Sequence, residues 1–471
     1  MFNINLRSIS FRRVARAITA LLLPVSLLAA TPQWGSFLTP FAADSLWNAR
    51  PVNPVFGDAV IPKSNYFPAV STGAYSTGMF LSKAGDGPMI VQGPSGKPGV
   101  WDPDAEAFRT TVTVPHWPSK VIPASGADGH ADIVDPVSGI IHSFWQLHQQ
   151  DGKWVATQYA WTRLDGSGWG DPAHYFQGAR AAGVPTSAGL VRKEEVNDSE
   201  LLYRHALAMS LTFNGLSKSP AYIFPATSAD NNAATTNSGL IPEGALLMLP
   251  PSYNTAQITN PALRKIAETL KTYGAYVVDR NYGTPFVIYV ENGADFDLHK
   301  GGWNNAVANE LDRIRSSLRQ VVSTQLWVDG NNQPFVPQKK LNLLSMRGPW
   351  QGQNGPALGT YDTWSQAVVF PAAAQRMIQT NYSSRGLNAV LWAIPKSGDS
   401  FRLTVTSTGG AKLRLQVRNK AGAWLFDSGE MADSQSTTFS WPADDATIVV
   451  HAISGVGNTS SVKAELVNGG R

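Results

Sequence analysis

Between residues 131 and 164 the chain alternates short β-prone runs with turn signatures, and this punctuation limits the fold more than any other feature of it. Residues 131–134 and 140–148 flank Asp135-Pro136-Val137-Ser138-Gly139, five residues of strong turn chemistry. Gln150-Asp151-Gly152 then separates the second run from residues 153–164. Three successive antiparallel strands follow, as in a sandwich or jelly roll. Upstream, Thr110-Thr111-Val112-Thr113-Val114 is a β-branched run stopped by Pro115. The chain holds 42 Gly and 31 Pro, enough to break most of its length in this way. The expected class is therefore all-β dominated, with a large jelly-roll or β-sandwich domain and a few supporting helices.

Two helices are legible. Asn260 can cap, Pro261 suits the first helical position, Leu263, Ile266, Ala267 and Leu270 share a face, and Gly274 stops the run. A second follows Asn304-Asn305, where Val307, Leu311, Ile314, Leu318 and Val321 recur by threes and fours. Residues 192–211 admit two readings. Leu201, Tyr203, His205, Leu207 and Met209 alternate like a strand, and the charged start suits a helix. Residues 226–240, rich in Ser, Asn, Thr and Ala, read as an exposed loop.

The first thirty residues have the order of a secretory signal. Arg7, Arg12, Arg13 and Arg16 precede an apolar run over 17–30 that closes on Ala29 and Ala30. That run is shorter than the roughly 20 apolar residues a membrane-spanning helix needs. Removing four basic residues from 38 leaves 34, against 34 acidic residues. A balanced charge gives no electrostatic footprint for nucleic acid. The expected setting is periplasmic or extracellular, with no membrane contact after signal cleavage. With no cysteine in the chain, thiolate metal sites, cysteine nucleophiles and thiol redox chemistry are excluded.

The domain expectation divides the chain into a signal peptide over 1–30 and a large β domain over 34–325. A loop-rich linker over 326–384, holding Trp350 and Trp364, and a separable C-terminal β sandwich over 385–471 complete it. In the last, Leu413, Leu415 and Val417 alternate with Arg414, Gln416 and Arg418, as a strand with one buried face requires.

The densest polar stretch is Asp128-Gly129-His130-Ala131-Asp132, followed by Asp135, His142, Trp145, Gln146 and His148. The strand period puts Asp128, His130 and Asp132 on one side. A four-residue loop over 136–139 pairs His130 with Trp145; a five-residue loop pairs Asp132 with His142. The first is preferred, since four-residue loops on a type I turn are common. Histidine suits proton transfer at neutral pH, with an acidic neighbour fixing its tautomer. Asp279 ends an apolar strand with Tyr273 just upstream. Among 15 Trp, Trp161, Trp169, Trp303, Trp350 and Trp364 sit in polar, turn-rich surroundings. Indole faces stack on sugar rings, and polar groups at the rim take their hydroxyls.

These patterns point to a polysaccharide or oligosaccharide partner and to a lyase or glycosidase, with non-catalytic glycan binding as the alternative. Expected catalytic groups are His130, His148, Asp279 and Asp132; expected substrate contacts are Asp128, Trp145, Gln146, His142, Trp161 and Tyr273. The Asp-Gly-His-Ala-Asp spacing also suits metal ligation, but one short cluster does not build a site, and no metal or cofactor is expected.

Asp44-Ser45-Leu46-Trp47-Asn48, Asp128-Gly129-His130, Val134-Asp135-Pro136 and Phe144-Trp145-Gln146 form a familiar series with Gly189-Leu190-Val191-Arg192, Glu194-Glu195 and Leu270-Lys271-Thr272-Tyr273-Gly274. The series resembles a group of exported bacterial β-rich proteins, over residues 38–300, that has no characterised activity. The resemblance implies that this stretch is one domain and transfers no catalytic residue. The C-terminal part resembles an adhesive or carbohydrate-binding β sandwich.

The mature protein is expected to begin near Thr31. N-terminal sequencing of exported material checks this, and an intact Met1 in a membrane fraction contradicts it.

Overall fold

The computed structural model describes residues 32–356, 358–381 and 389–469. The signal segment expected over 1–30 lies outside them. The described chain is mostly β, and no helix in it is long and apolar enough to cross a membrane.

Three sheets and two helices are stacked between residues 55 and 323. The central sheet has seven strands in the order Val55–Phe56, Arg319–Ser323, Leu246–Met248, Ala275–Asn281, Leu207–Thr212, Phe286–Tyr289, Ala69–Ser71. Its two middle strands run parallel. The period of two sorts their side chains cleanly. Leu207, Met209, Leu211, Ala275 and Val277 face the helices, against Leu263, Ile266, Leu270, Val307, Leu311 and Ile314. Ala208, Tyr276 and Val278 face the other way, onto Val134 and Ile141 of a six-stranded sheet. That sheet's far side packs Ile133, Ile140, Phe144 and Tyr159 against Val91, Val112, Val114 and Trp154 of a four-stranded sheet. The ambiguous stretch 192–211 thus ends in the strand Leu207–Thr212.

Both helices start where their sequences say, and the second stops short of its expected end: Leu318 is already extended and Val321 lies in the strand Arg319–Ser323. Pro261–Thr272 has Asn260 as cap, its side chain accepting from the Leu263 N–H, and Gly274 follows at φ +76°, a conformation that costs other residues strain. Asn305–Ser317 is capped by Asn304, which accepts from Ala306 and Val307.

In the hairpin of Ala131–Asp135 and Ile140–Trp145, Ile140 pairs with Asp135 and Phe144 with Ala131. This is the register of the four-residue loop. It sets His130 and Trp145 at opposite positions at the open end, and Asp132 opposite Ser143. Beyond Trp145 the chain turns away: Gln146 takes φ +57°, and His148–Gln150 joins the four-stranded sheet.

The C-terminal sandwich draws on more chain than its alternating stretch suggests. Its two five-stranded sheets include Trp350–Gly352, Thr360–Asp362, Ala367–Phe370 and Ile378–Asn381, all from the glycine-rich region read as linker. Val368 and Phe370 are buried in its core with Leu343, Leu413 and Leu415. The core also holds Tyr175, and Arg347 lies 3.7 Å from that ring. A fragment over 385–471 lacks four of the ten strands and leaves the strands Ser460–Asn468 and Thr447–Ile453 each with one unpaired edge. Its far-ultraviolet spectrum is expected to show disorder or aggregation, whereas a fragment over 341–471 gives a β spectrum and a cooperative melt. Equal behaviour of the two contradicts this account.

Candidate active site between two sheets

The site begins with an irregularity in the central sheet. Met209 pairs with Val277, but Ser210 pairs with Asp279, so Val278 is an extra residue in its strand. Such a bulge re-aims whatever follows it, because one added residue exchanges the faces of a strand. Without it, Asp279 would point at the helices. With it, Asp279 shares the face of Ser210, toward the six-stranded sheet. The Val278 carbonyl accepts from the Ala182 N–H at 3.1 Å, which fastens the loop 179–187 to the bulge.

That loop carries Arg180 between the two sheets. Its other attachments are to the opposite sheet: the Ala179 N–H donates to Ser143 Oγ at 3.1 Å, and the Ser187 N–H donates to Asp132 Oδ2 at 2.7 Å. Arg180 Nη1 donates to Asp279 Oδ2 and to the Tyr75 carbonyl, each at 3.2 Å. The guanidinium lies 3.9 Å from the centre of the Tyr289 ring, a cation–π contact. Its side chain is 2% exposed, and Nε and Nη2 are enclosed without a hydrogen-bond partner.

The facing sheet supplies Asp128, His130 and Trp145. Gly129 turns the chain at φ +45°, where an added Cβ would lie 3.0 Å from the Leu147 carbonyl. The Asp128 carbonyl then accepts from the Gln146 N–H, and Trp145 Nε1 donates to Asp128 Oδ1 at 3.0 Å. Arg280 closes the other side, pairing with Asp230 at 3.4 Å and donating to Asn232 and Thr236. The Asp230 N–H donates to Glu243 at 3.3 Å.

These groups shape one another's charge. Burial pushes Asp279 up to about 6; the Arg180 charge opposes this, and the Asp230 and Asp128 charges add to it. Burial also raises Asp230, with Arg280 opposing and Asp128 adding. Glu243, fully enclosed, is held well above the carboxylate range by burial and by the Asp230 and Asp279 charges. Burial and Arg180 hold His130 well below the usual imidazole value, so it is a neutral ring. Carboxyls whose surroundings differ, one of them raised to about 6, can divide acid and base roles between them. Asp279 is 18% exposed; His130, at 2%, is enclosed with Nδ1 unpartnered.

Of the residues expected to act together, the structure brings Asp128, His130, Trp145 and Asp279 to one place. Gln146 flanks them, its Oε1 accepting from Thr157 Oγ1. Asp132 is sealed, and its work is to hold the Ser187 backbone. His148 is exposed on the four-stranded sheet, bonded to the Gln146 carbonyl. His142 faces the core between the six- and four-stranded sheets, 2.8 Å from Tyr159 Oη, and burial lowers it to about 4. Trp161 is buried against Trp364, with ring centroids 4.8 Å apart. Tyr273 is part of the core between the sheets. Arg180, Asp230, Glu243 and Arg280 carry no local motif; Arg280, directly after Asp279, was the only one within reach of sequence reasoning. Among the described residues no group of three His, Asp or Glu is arranged to hold a metal ion.

The raised pKa of Asp279 has a consequence for stability. The folded state keeps its proton to about pH 6, whereas the unfolded chain releases it near 4. The stability this residue contributes is complete below about pH 4 and falls as pH rises toward 6. Asp279→Asn removes that slope. Measured by chemical denaturation, the variant is expected to gain about 2–3 kcal/mol on the wild type between pH 4 and 7. A difference that stays constant across this range contradicts the assignment.

No protein-family model matches the chain, and no curated protein matches it. Among solved structures it is similar to the glycosylation-associated protein complex (Gap123) of Streptococcus agalactiae, at 12% identity and TM-score 0.19 over 26% of this chain. This match spans 45% of that chain, less than half its length. It is also similar to accessory secretory protein 1, 2 and 3 of Streptococcus pneumoniae, at 9% identity and TM-score 0.20, covering 28% of this chain and 100% of that one. A third likeness is to TmCBM61 in complex with β-1,4-galactotriose, at 11% identity and TM-score 0.18, covering 26% of this chain and 89% of that one.

Proposed function

We propose that this chain is exported, binds a polysaccharide, and hydrolyses its glycosidic bonds in the cleft between the central and six-stranded sheets. The observation that carries the proposal is Asp279, a partly exposed carboxyl pushed up to about 6 beside the Asp128 carboxylate. Glycoside hydrolysis needs a carboxylic acid to protonate the leaving oxygen and a second carboxylate across the bond. In this reading Asp279 donates its proton to the glycosidic oxygen as the C–O bond breaks. Asp128 supports the positive charge that develops at the ring and takes a proton from the water whose hydroxyl adds to the anomeric carbon. Trp145, bonded to Asp128, holds that carboxylate in place. His130 is a positioning residue here: neutral and enclosed, it lies under Arg180 without competing for the proton.

Elimination on a uronic acid fits less well. It needs a cation free to neutralise the sugar carboxylate, and both arginines of the cleft are engaged, Arg180 with Asp279 and Arg280 with Asp230. The surplus of carboxyls also opposes a phosphate backbone. Binding without cleavage is the second reading, favoured by the exposed rings of Tyr66 and Trp303 outside the cleft.

The test is a polysaccharide panel assayed for reducing ends and for the absorbance of unsaturated products. Hydrolysis releases reducing ends alone. Asp279→Asn is expected to lower kcat by about 10²- to 10⁴-fold, and Asp128→Asn to cause a loss of similar order. Because the protonated form of Asp279 acts, wild-type kcat should fall as pH rises through about 6. Unsaturated products would establish a lyase instead. Binding with no cleavage of any panel member would leave the non-catalytic reading.

A further inference from the structure

Outside the cleft three exposed aromatic rings line one open groove. Tyr66 is 67% exposed, Trp303 61% and Phe67 45%. They line the groove with Asn65, Asp297 and His299. Large rings left in water on a folded chain mark a place where something is bound.

The rings are held rather than loose. Trp303 lies parallel on His299, with centroids 4.6 Å apart and planes 7° from parallel. Its Nε1 donates to Asn305 Oδ1 at 2.7 Å. His299 Nδ1 accepts from the Asn304 N–H at 3.0 Å, at the start of the helix Asn305–Ser317. Phe67 is 5.6 Å from Trp303 and tilted by 58°. A fixed indole with one face covered and much of the ring in solvent binds a flat apolar face without first losing side-chain freedom. Sugar rings offer such a face, with hydroxyls at the edge for Asn65 and Asp297 to take.

The groove lies on the helix side of the central sheet, among Val70, Phe296, Leu298 and Leu311, and meets the chain that leaves the Asp279 strand. Tyr66 N–H donates to the Gly283 carbonyl at 3.0 Å, and an added Cβ on Gly283 would lie 3.0 Å from the Tyr66 ring. Gly283 is four residues past Asp279, at most ~14 Å of extended chain. Tyr282, between them, is exposed, with the Arg280 guanidinium 5.8 Å from its ring. The groove lining contains no Lys or Arg, and Asp297 is at its rim.

We propose that Tyr66, Phe67 and Trp303 form a stacking platform for uncharged sugar units of the strand that enters the Asp279 cleft. The inference rests on the glycan reading of that cleft and narrows it to neutral polysaccharides.

Affinity electrophoresis tests it, in gels containing glucomannan, xylan, galactan or mixed-linkage glucan, with polygalacturonate as the anionic comparison. The wild type is expected to be retarded by at least one neutral polymer and not by polygalacturonate. Trp303→Ala and Tyr66→Ala should each weaken that retardation roughly tenfold, with unchanged melting temperatures. Trp303→Phe, which keeps a ring, should retain most of it. Equal retardation of wild type and Trp303→Ala overturns the platform, as does retardation by polygalacturonate alone or by none of the neutral polymers. Cleavage is scored separately: retardation without cleavage by the wild type removes the hydrolytic reading and keeps the platform. Cleavage that Trp303→Ala leaves unchanged on long and short substrates does the reverse.

Discussion

The extra residue at Val278 decides which face of the central sheet carries Asp279. One face is packed by helices and could not accept a carboxylate; the other meets a second sheet, and the loop 179–187 lies between them. The bulge both turns Asp279 to that side and offers the Val278 carbonyl to Ala182. Asp132 and Ser143 hold the same loop from the opposite sheet. Arg180 is therefore positioned by both sheets, and the acid it holds cannot move without disturbing one of them. Precision of this kind is what a constellation built on rigid strands can provide.

Burial and pairing act against each other within the cleft. Desolvation alone would leave Asp279 neutral; one bond from Arg180 moderates it to about 6. Two further carboxyls, Asp128 and Asp230, raise it, and Arg280 keeps Asp230 from dominating. Like charges held close together are unfavourable for folding. Their retention at the open end of two packed sheets is the usual mark of a site where charge is put to use.

Much of this was readable from residue types, and the failures have identifiable causes. Asn260 with Pro261, and Asn304, are local capping signals, so both helix starts were found; Leu318 and Val321 continued the apolar period past the true end of the second helix into the strand Arg319–Ser323. The hairpin register followed from turn length, which placed His130 opposite Trp145. His142 fell to the other face by the same period of two. Arg180 was invisible because its loop is irregular and its partners lie about a hundred residues away in sequence. The bulge carries no Gly or Pro to announce it. Trp350 and Trp364 were read as part of a linker because strands of three or four residues among glycines show no periodicity; tertiary pairing alone makes them strands.

The central claim is that one carboxyl, Asp279, holds its proton near neutral pH because of where the bulge puts it. Carbon-13 labelling of aspartate carboxyls, with Asp279→Asn to assign the signal, measures this directly by nuclear magnetic resonance. The account predicts an aspartate signal that titrates near pH 6 in the wild type and is missing in the variant. An Asp279 signal that titrates near 4, as in an unperturbed aspartate, would contradict it.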